Sequence, residues 1–394
     1  MGRRRPSVVM MRVLLTTPAG LGHIHPMVPL ALALARASHE VRWAVPEQGA
    51  SVVAEHGLTV VAIPGRDPIT PQEVMKRFPE LAALDPRDRP DTMFGKLFGA
   101  MATPPMLEGI EPFAHEWCPH LIVADAADFA GHIVAASLGI PSVTKGFGAL
   151  LPEVRAARAA EEVEALWASR GLEPRAYGGA YDHLYLDIYP PEMQIDKGTH
   201  VPRRQLMRPV TNDGLVEGSA LPLPQARVDA PLVYVTMGTV FNDAAPLGRA
   251  VQAARSLDVR VLATVGPVAD PAVLGNQPAH VVVERYVPQT AVLPRCDVVV
   301  SHGGSGTVLG ALALGRPQVC LPQGADQFLN AQAVAASQAG LSLLPDAASI
   351  DAVRDAIATV LNEPSFQQAA QQVARSIDAM PSPDEVAAVL EGLV

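Results

Sequence analysis

A glycine-rich turn near residue 300 combines a histidine, hydroxyl side chains and the expected start of a helix. Residues 296–300 are mostly β-branched and predict a buried strand, and residues 308–314 predict a helix that ends at Gly315. Between them lies the segment Ser301-His302-Gly303-Gly304-Ser305-Gly306-Thr307. A helix start offers unpaired N–H groups and a favourable dipole, and glycine lets a phosphate approach the backbone. The segment therefore predicts a phosphate site with Ser305 and Thr307 as hydroxyl donors, although most such turns are only turns.

A second strand-turn-helix unit follows and adds an acid and an amide. Residues 318–321 predict a strand, and Asp326 and Gln327 come near the start of the next helix. Because α/β sheets bind ligands at the carboxyl ends of their strands, both side chains are expected beside the phosphate site. Carboxylate and amide oxygens accept hydrogen bonds from sugar hydroxyls, so the pair suits a polyol. Asp326 is also a good N-cap, and we favour a residue that both caps the helix and binds.

A histidine occupies the corresponding place in the first half of the chain. Residues 12–16 predict the first strand and residues 26–37 a helix with proline in its first turn, so that His23 lies just ahead of the helix. The G-x-G of this turn lacks the third glycine of a dinucleotide-binding fingerprint, because His25 takes that place. A lone histidine at a strand end is more often structural, and His25 is assigned to capping or packing.

Composition and charge exclude several classes of protein. The chain is 49% apolar and 18% charged, and it has no apolar run long enough to span a bilayer. A net charge of −10 argues against nucleic-acid binding. The three cysteines, Cys118, Cys296 and Cys320, are far apart and indicate neither a disulfide framework nor a zinc site. Cys296 and Cys320 are predicted core residues, and a reducing cytoplasm is the expected location.

Together these segments resemble the donor-binding segment of the family 1 glycosyltransferases, which have the two-domain GT-B fold. The resemblance is carried, at the spacing of the bacterial natural-product branch, by Tyr286-Val287-Pro288-Gln289, by His302-Gly303-Gly304-Ser305-Gly306-Thr307, and by Pro322-Gln323-Gly324-Ala325-Asp326-Gln327 with Asn330. It implies that a diphosphate is held by His302, Gly304, Ser305, Gly306 and Thr307. It also implies that Tyr286 and Val287 meet the base, that Asp326 and Gln327 hold the sugar, and that Thr239 faces the diphosphate.

The segment departs from the family pattern at two positions. The family often has a second histidine where this chain has Ser301. Plant members place a ribose-binding glutamate where this chain has Gly310. Loss of a partner for the ribose hydroxyls fits a 2′-deoxyribose donor, so a dTDP-sugar is favoured over a UDP-sugar.

The first half matches the family at its catalytic base. Gly22, His23 and Pro26 fit a Gly-His-x-x-Pro pattern, which implies that His23 is the base. Asp125, after the strand predicted over residues 120–124, matches the acid that orients this histidine. A carboxylate on one imidazole nitrogen fixes the tautomer and stabilises the imidazolium formed later. The alternative is that Asp125 caps the helix that follows.

Aromatic residues suggest where an acceptor binds. Residues 66–106 alternate proline-rich and charged pieces with Phe94, Phe98 and two methionines. Such residues near helical spacing are usually core, and the wall of an apolar acceptor cleft is an equally weighted alternative. Phe147, after the next predicted strand, is expected to return to the same cleft.

The alternation of strands and helices predicts the architecture. We expect an α/β protein of two Rossmann-like, doubly wound parallel-sheet domains facing across a cleft, each with its own core. The expected order is a disordered lead-in (1–10, with Met11 a possible start), an acceptor domain (11–213), a linker (214–229), a nucleotide-sugar domain (230–380) and a terminal helix (381–394). The resemblance implies that this helix packs back on the first domain.

These observations predict an inverting glycosyltransferase that moves a sugar to a hydroxyl of an apolar aglycone. No D-x-D pair occurs in the chain, so neither a metal nor a further cofactor is expected. The expected partners are the aglycone and the nucleotide-sugar, without nucleic acid or membrane, and the expected state is a monomer or weak homodimer. Aglycone, sugar and type of glycosidic bond are left open.

Three alternatives share features of this pattern. A UDP-sugar 2-epimerase has the same fold, but several further acids and a basic sugar pocket would be expected. A lipid glycosyltransferase should show a basic and apolar patch facing the membrane, and none is evident in the first half. A non-catalytic sugar-nucleotide-binding protein is the non-enzyme alternative, and the presence of both His23 and Asp125 counts against it.

Overall fold

The computed structural model describes residues 10–65, 70–84, 88–212, 221–238, 244–267 and 269–394. The chain divides into two units. The first contains the chain up to Ile188, Asp196–Met207 and Pro381–Val394, and the second contains Tyr189–Ile195 and Arg208–Met380. This division differs from the domain boundary expected at residue 213. The expected lead-in, except for Met10, and residues 214–220 of the expected linker lie outside the described residues.

The first unit is built on a seven-stranded sheet whose paired strands are all parallel. The strands are β1 (Arg12–Thr16), β2 (Glu40–Pro46), β3 (Thr59–Ile63), β4 (Leu121–Asp125), β5 (Ser142–Lys145), β6 (Leu184–Asp187) and β7 (Arg204–Leu206). Their order across the sheet is β3-β2-β1-β4-β5-β6-β7.

Helices connect these strands and cover the sheet. They are α1 (Leu21–Arg36), α2 (Glu47–Glu55), α3 (Pro71–Arg77), α4 (Arg89–Phe94), α5 (Thr103–Trp117), α6 (Ala130–Leu138), α7 (Glu153–Glu161) and α8 (Glu164–Ala168). A π-helix, Gly95–Ala102, joins α4 to α5, and short 3₁₀ turns lie at Pro79–Ala83 and Ala176–Gly179. Leu14 and Ile122 of the sheet pack with α5 and α6 in one apolar core.

Helix α1 begins five residues earlier than predicted, at Leu21, so His23 lies within its first turn and the prediction that His23 precedes the helix is wrong. Gly20 occupies the N-cap, and its carbonyl accepts from the N–H groups of His23 and Ile24 at 2.9 and 3.0 Å. Pro26 in the second turn lacks only the N–H that would reach the carbonyl of Gly22. Because Gly22 is exposed, water can satisfy that carbonyl, and the helix tolerates the proline.

The second unit is built on a six-stranded sheet, also with every pair parallel. The strands are β8 (Leu232–Thr236), β9 (Arg260–Thr264), β10 (Val281–Glu284), β11 (Val298–Ser301), β12 (Gln318–Cys320) and β13 (Gly340–Ser342), in the order β10-β9-β8-β11-β12-β13. Val233 and Val235 belong to one core cluster, and Leu232 and Tyr234 belong to another. Alternating strand residues therefore bury both faces of this sheet.

The helices of the second unit follow the same alternation. They are α9 (Ala244–Arg255), α10 (Gln289–Val292), α11 (Ser305–Ala313), α12 (Gln327–Ala336), α13 (Ile350–Asn362) and α14 (Pro364–Asp378), with 3₁₀ turns at Pro191–Met193 and Pro271–Leu274. Cys296 and Cys320 are fully buried and unbridged, which confirms their prediction as core residues. In the described part of the chain, no helix has the length and apolarity that a membrane crossing requires.

The last helix, α15 (Pro383–Glu391), packs on α1 and so belongs to the first unit. Arg36 at the end of α1 donates to both carboxylate oxygens of Asp384, at 2.8 to 3.0 Å. His39 Nε2 lies 3.3 Å from Glu391 Oε1. A capping box between Ser382 and Glu385 begins the helix.

Both sheets reverse their strand order at one place, between β1 and β4 in the first and between β8 and β11 in the second. In doubly wound sheets a crevice for ligands opens there, at the carboxyl ends of the strands. His23 follows β1, and Asp125 ends β4. Gly238 follows β8, and His302 follows β11. Both histidines singled out by the sequence therefore lie at a topological switch point.

Candidate active site

His23 and Asp125 form a hydrogen-bonded pair in the first unit. His23 Nδ1 lies 2.9 Å from Asp125 Oδ1, which also accepts from the Ala127 N–H at 2.8 Å. Asp125 is fully buried, and His23 keeps 16% of its side chain exposed. With Nδ1 committed to the carboxylate, Nε2 is the nitrogen left to exchange a proton with a ligand.

Asp125 does not cap the helix that follows it. Helix α6 begins five residues later, and its first N–H groups, of Ala130 and Gly131, donate to Asp128 at 3.1 and 3.3 Å. Burial raises the pKa of Asp128 to about 6, against the lowering effect of these hydrogen bonds. The alternative of Asp125 as an N-cap is therefore wrong, and its carboxylate serves the histidine.

Two phenylalanines flank the His23 ring. Its centroid lies 4.6 Å from that of Phe147 and 5.3 Å from that of Phe98, both in edge-to-face geometry. Phe94 packs behind Phe98, with ring centroids 4.9 Å apart, and is buried in the core. Of the three predicted acceptor residues, Phe98 and Phe147 are therefore beside the histidine, and Phe94 packs on Phe98.

The π-helix Gly95–Ala102 carries Phe98. A Cβ at Gly95 would lie 3.2 Å from the backbone of Ala159, and one at Gly99 would lie 2.8 Å from the side chain of Glu162. The two glycines thus allow the π-helix to pack closely on α7 and the residue that follows it. Short π-helical segments occur often at functional sites, because they change the direction in which a helix presents its side chains.

In the second unit, His302 is held between two glycines. A Cβ at Gly238 would come within 2.6 Å of the ring, and a Cβ at Gly304 would come within 2.5 Å of Nε2. Gly238 has φ +78°, which also favours glycine there. Burial lowers the pKa of His302 to about 4, opposed by the attraction of Asp326, so the imidazole is neutral at pH 7.

Helix α11 begins at Ser305, three residues after this histidine and three residues earlier than predicted. Its first turn is Ser305, Gly306 and Thr307. The N–H groups of these residues have no hydrogen-bond acceptor within the helix, because the helix has no carbonyl four residues before them. Gly306 is exposed, and nothing lies within 4 Å of where its Cβ would be. Thr307 Oγ1 accepts from Gln289 Nε2 at 2.8 Å, a hydrogen bond that does not use the hydroxyl proton. The turn offers an anion the N–H groups of a helix start, and a contact of the Thr307 hydroxyl stays a prediction.

Asp326 is tied to the same turn. Ser305 Oγ donates to Asp326 Oδ2 at 2.7 Å, and Asn330 Nδ2 lies 3.0 Å from the same oxygen. Asp326 occupies the N-cap position of α12, but its side chain accepts no hydrogen bond from a backbone N–H group of that helix. The expectation that it also caps through its carboxylate is therefore wrong. The carboxylate is held beside α11 instead, and Asp326 is partly exposed there.

The remaining residues predicted to bind the nucleotide-sugar differ in which of their atoms are accessible to a ligand. Gln327 is buried, and its Oε1 accepts from the N–H groups of Gln323 and Gly324 at 2.8 and 3.2 Å, so a sugar contact of this side chain stays a prediction. Val287 is 4% exposed and packs in the core, which leaves its main chain for any contact with a base. Tyr286 is 43% exposed. Thr239 lies outside the described residues.

Gly310 is enclosed. A Cβ at this position would lie 2.8 Å from Thr211 Oγ1 and 3.1 Å from Leu293 Cδ1. No longer side chain can project from this point of α11 without displacing those neighbours. Among the residues that the structure describes, no three metal-binding side chains cluster together.

Comparison with known proteins places the chain in a family. The two domain profiles named erythromycin biosynthesis protein CIII-like match it, the N-terminal one over residues 32–214 and the C-terminal one over residues 249–393. Elloramycin glycosyltransferase ElmGT of Streptomyces olivaceus is 37% identical over 391 residues, which cover 96% of this chain and 97% of ElmGT. This chain belongs to that family of antibiotic glycosyltransferases. L-demethylnoviosyl transferase of Streptomyces niveus is 31% identical, with 97% of each chain covered.

Solved structures resemble the glycosyltransferase over almost its whole length. Spinosyn rhamnosyltransferase SpnG is 30% identical, with a TM-score of 0.82 and coverage of 97% of this chain and 100% of SpnG. SpnG has also been solved with thymidine diphosphate and with spinosyn aglycone. The predicted fold class, two doubly wound parallel sheets of the GT-B type, is confirmed, and so is the prediction that the protein is a glycosyltransferase.

Proposed function

We propose that this glycosyltransferase transfers a deoxysugar from a dTDP-sugar to a hydroxyl of an apolar natural-product aglycone. The transfer inverts the anomeric centre and needs no metal. The observation that carries the proposal is the His23–Asp125 hydrogen bond at a switch point, with Phe98 and Phe147 against the imidazole. The complexes of its relative SpnG with thymidine diphosphate and with an aglycone support the substrate classes.

In this proposal, His23 acts as the general base. Its Nε2 accepts the proton of the acceptor hydroxyl as the oxygen attacks the anomeric carbon. Asp125 keeps the proton on Nδ1 and stabilises the imidazolium that forms. Attack on the face opposite the leaving group forms the new C–O bond while the bond to the β-phosphate breaks, which gives inversion.

The leaving dTDP takes the bonding electron pair and gathers negative charge on its β-phosphate. The N–H groups at the start of α11 donate to this charge from a fixed helix end, which needs no reorganisation during the reaction. His302 adds a neutral N–H donor, because burial keeps its pKa low. Helix and imidazole thus supply the stabilisation that a metal ion provides in other glycosyltransferases.

The preference for dTDP over UDP rests on Gly310. Thr211 and Leu293 close this position, so no side chain at residue 310 can accept hydrogen bonds from ribose hydroxyls. A 2′-hydroxyl therefore gains no partner from this position when UDP replaces dTDP. A site without a partner for an added hydroxyl discriminates only moderately, so we expect a preference of roughly tenfold.

The test is mass spectrometry of products from a panel of dTDP- and UDP-sugars offered with aromatic polyketide and macrolide aglycones. We expect a product heavier than the aglycone by one sugar residue, with dTDP-sugars favoured by roughly tenfold in kcat/KM. Donor incubated without acceptor serves as the control. An isomerised sugar in that control would identify an epimerase, and tight dTDP binding without any product across the panel would favour a non-catalytic binding protein.

Phe98 is expected to contribute to acceptor binding. Phe98→Ala removes an aromatic face beside His23, so KM for an apolar acceptor should rise roughly tenfold, while KM for the donor stays unchanged. Phe94→Ala is the matched variant, because the same truncation at the buried ring should mainly lower Tm. Steady-state kinetics with each substrate varied in turn separates the two. An unchanged acceptor KM in Phe98→Ala would remove Phe98 from the acceptor site.

A further inference from the structure

Lys145 is a buried lysine that the sequence analysis did not single out. It is the last residue of β5, and none of its surface is exposed. Its Nζ has no hydrogen-bond partner within the part of the chain that the structure describes. Lysine is almost never fully buried unless it is paired, because the ammonium loses its hydration. Two of the other lysines, Lys76 and Lys197, are exposed.

The position of Lys145 relates it to the catalytic pair. In the parallel pairing of β4 with β5, Lys145 is opposite Asp125, and the N–H of Ala126 donates to the Lys145 carbonyl at 3.0 Å. Paired residues on adjacent strands direct their side chains to the same face of a sheet. Lys145 is therefore on the face that carries Asp125.

One carboxylate oxygen of Asp125 is available to interact with the Lys145 ammonium. Its Oδ1 is bound by His23 and by the Ala127 N–H, and its Oδ2 is buried without a hydrogen-bond partner among the described residues. Burial lowers the pKa of Lys145 to about 7, and the attraction of Asp125 opposes that decrease. Lys145 is thus a buried amine without a direct bond, and the charge that favours its protonated form is the carboxylate that orients His23.

Other charged groups around the two strands have their own partners. Asp187 of β6 is paired with Arg204 at 2.7 Å, and Asp128 accepts from two N–H groups of α6. Tyr185 of β6 is buried, which holds the pKa of its phenol well above the usual value, so it is uncharged. Asp125 is the group whose charge acts on Lys145.

We propose that Lys145 is a positioning residue for glycosyl transfer, whose ammonium offsets part of the charge that Asp125 exerts on His23. The inference rests on the proposed role of His23 as the base. A buried carboxylate favours the imidazolium, and an imidazolium has no lone pair with which to accept the acceptor proton. A cation on the same sheet face weakens that attraction, while the hydrogen bond between Asp125 and Nδ1 still fixes the ring.

The first measurement follows the ionisation of His23 directly. The protein is labelled with ¹³C-histidine, the His23 signal is assigned by its loss in His23→Gln, and its titration is followed by NMR. In Lys145→Met the midpoint should rise by roughly one pH unit, because the carboxylate then acts without an opposing charge. Lys197→Met, which removes the charge of an exposed lysine, should leave the midpoint unchanged. A midpoint that does not move in Lys145→Met overturns the proposal.

The second measurement is the pH profile of kcat/KM. The rising acid limb should move to higher pH in Lys145→Met by the amount seen in the titration, and Lys145→Arg should restore the wild-type position. KM for the donor should not change. A uniform loss of activity with an unmoved profile indicates a packing role and overturns the proposal. A shifted NMR midpoint with an unshifted profile upholds the effect of Lys145 on His23 and rejects His23 as the base.

A stability measurement keeps the inference testable if Lys145→Met folds poorly, with Lys145→Gln as the second variant. The pKa of Lys145 is about 7 in the folded protein against a model value of 10.5, so the unfolded chain binds more protons between these pH values. Stability of the wild type should therefore rise with pH relative to either variant across this window, by up to about tenfold in the unfolding equilibrium per pH unit. A slope already present well below pH 7 would show that Lys145 is uncharged at the working pH and would overturn the proposal.

Discussion

Replacing His23 with alanine is expected to lower kcat by roughly 10²- to 10⁴-fold, the usual contribution of a general base. The substitution removes the only group that we assign to accept the acceptor proton. Binding of dTDP should stay within about twofold of wild type, because the residues assigned to the diphosphate belong to the other unit. Initial rates at saturating substrates, together with dTDP calorimetry, measure the two effects separately.

Two further variants accompany this prediction, one as a control and one as a test of Asp125. His115→Ala removes an exposed histidine of α5 in the same unit and should leave kcat unchanged. Asp125→Asn keeps the shape of the pair but removes the charge that stabilises the imidazolium, so it should also lower kcat. Full turnover in His23→Ala would remove the base assignment, and with it the role proposed for Lys145.

Gly304→Ala is expected to weaken dTDP binding by roughly 10- to 100-fold, the effect of losing one hydrogen bond to a charged group. Gly304 has φ −65° and ψ 140°, so its backbone accepts alanine. The new methyl carbon, however, would lie 2.5 Å from His302 Nε2, and the ring must move. The variant therefore displaces His302 while leaving the imidazole in the protein. Isothermal titration calorimetry with dTDP measures the loss.

The control for this variant is Gly248→Ala in α9. A Cβ at Gly248 would meet only Leu274, at an ordinary distance of 3.8 Å. Alanine replaces glycine within a helix there, so stability should rise by about 0.5–1 kcal/mol and dTDP binding should be unchanged. Wild-type affinity in Gly304→Ala would show that the position of the His302 ring does not matter for the diphosphate. His302→Ala should then be harmless as well, against our expectation that it damages binding and turnover.

Strand positions could be predicted from the sequence because β-branched runs leave few alternatives. The first strand begins and ends at the predicted residues, Arg12–Thr16. Once strands are placed, parallel α/β topology brings their carboxyl ends together. The pairing of His23 with Asp125, 102 residues apart, follows from that topology.

Side-chain directions in the loops could not be predicted in the same way. Val287 faces the core, and the Gln327 oxygen is used by its own loop, because the path of a short irregular segment decides which atoms remain free. The π-helix around Phe98 changes the residue period within one helix, so the 3.6-residue pattern used to find helices fails there. Lys145 was missed because a single lysine at a strand end carries no periodic signal.

The return of α15 to α1 has a consequence for engineering new specificities from this enzyme and its relatives. The first unit is assembled from three separate stretches of chain, the last of which starts at Pro381. A chimaera joined at a single point after Met207 would combine one parent's α1 with the other parent's α15. The Arg36–Asp384 contact would then form only if the second parent's α15 carries a residue that can pair with Arg36. Chimaeras with a second crossover near Met380 take both α1 and α15 from the same parent, so a larger fraction of them should fold.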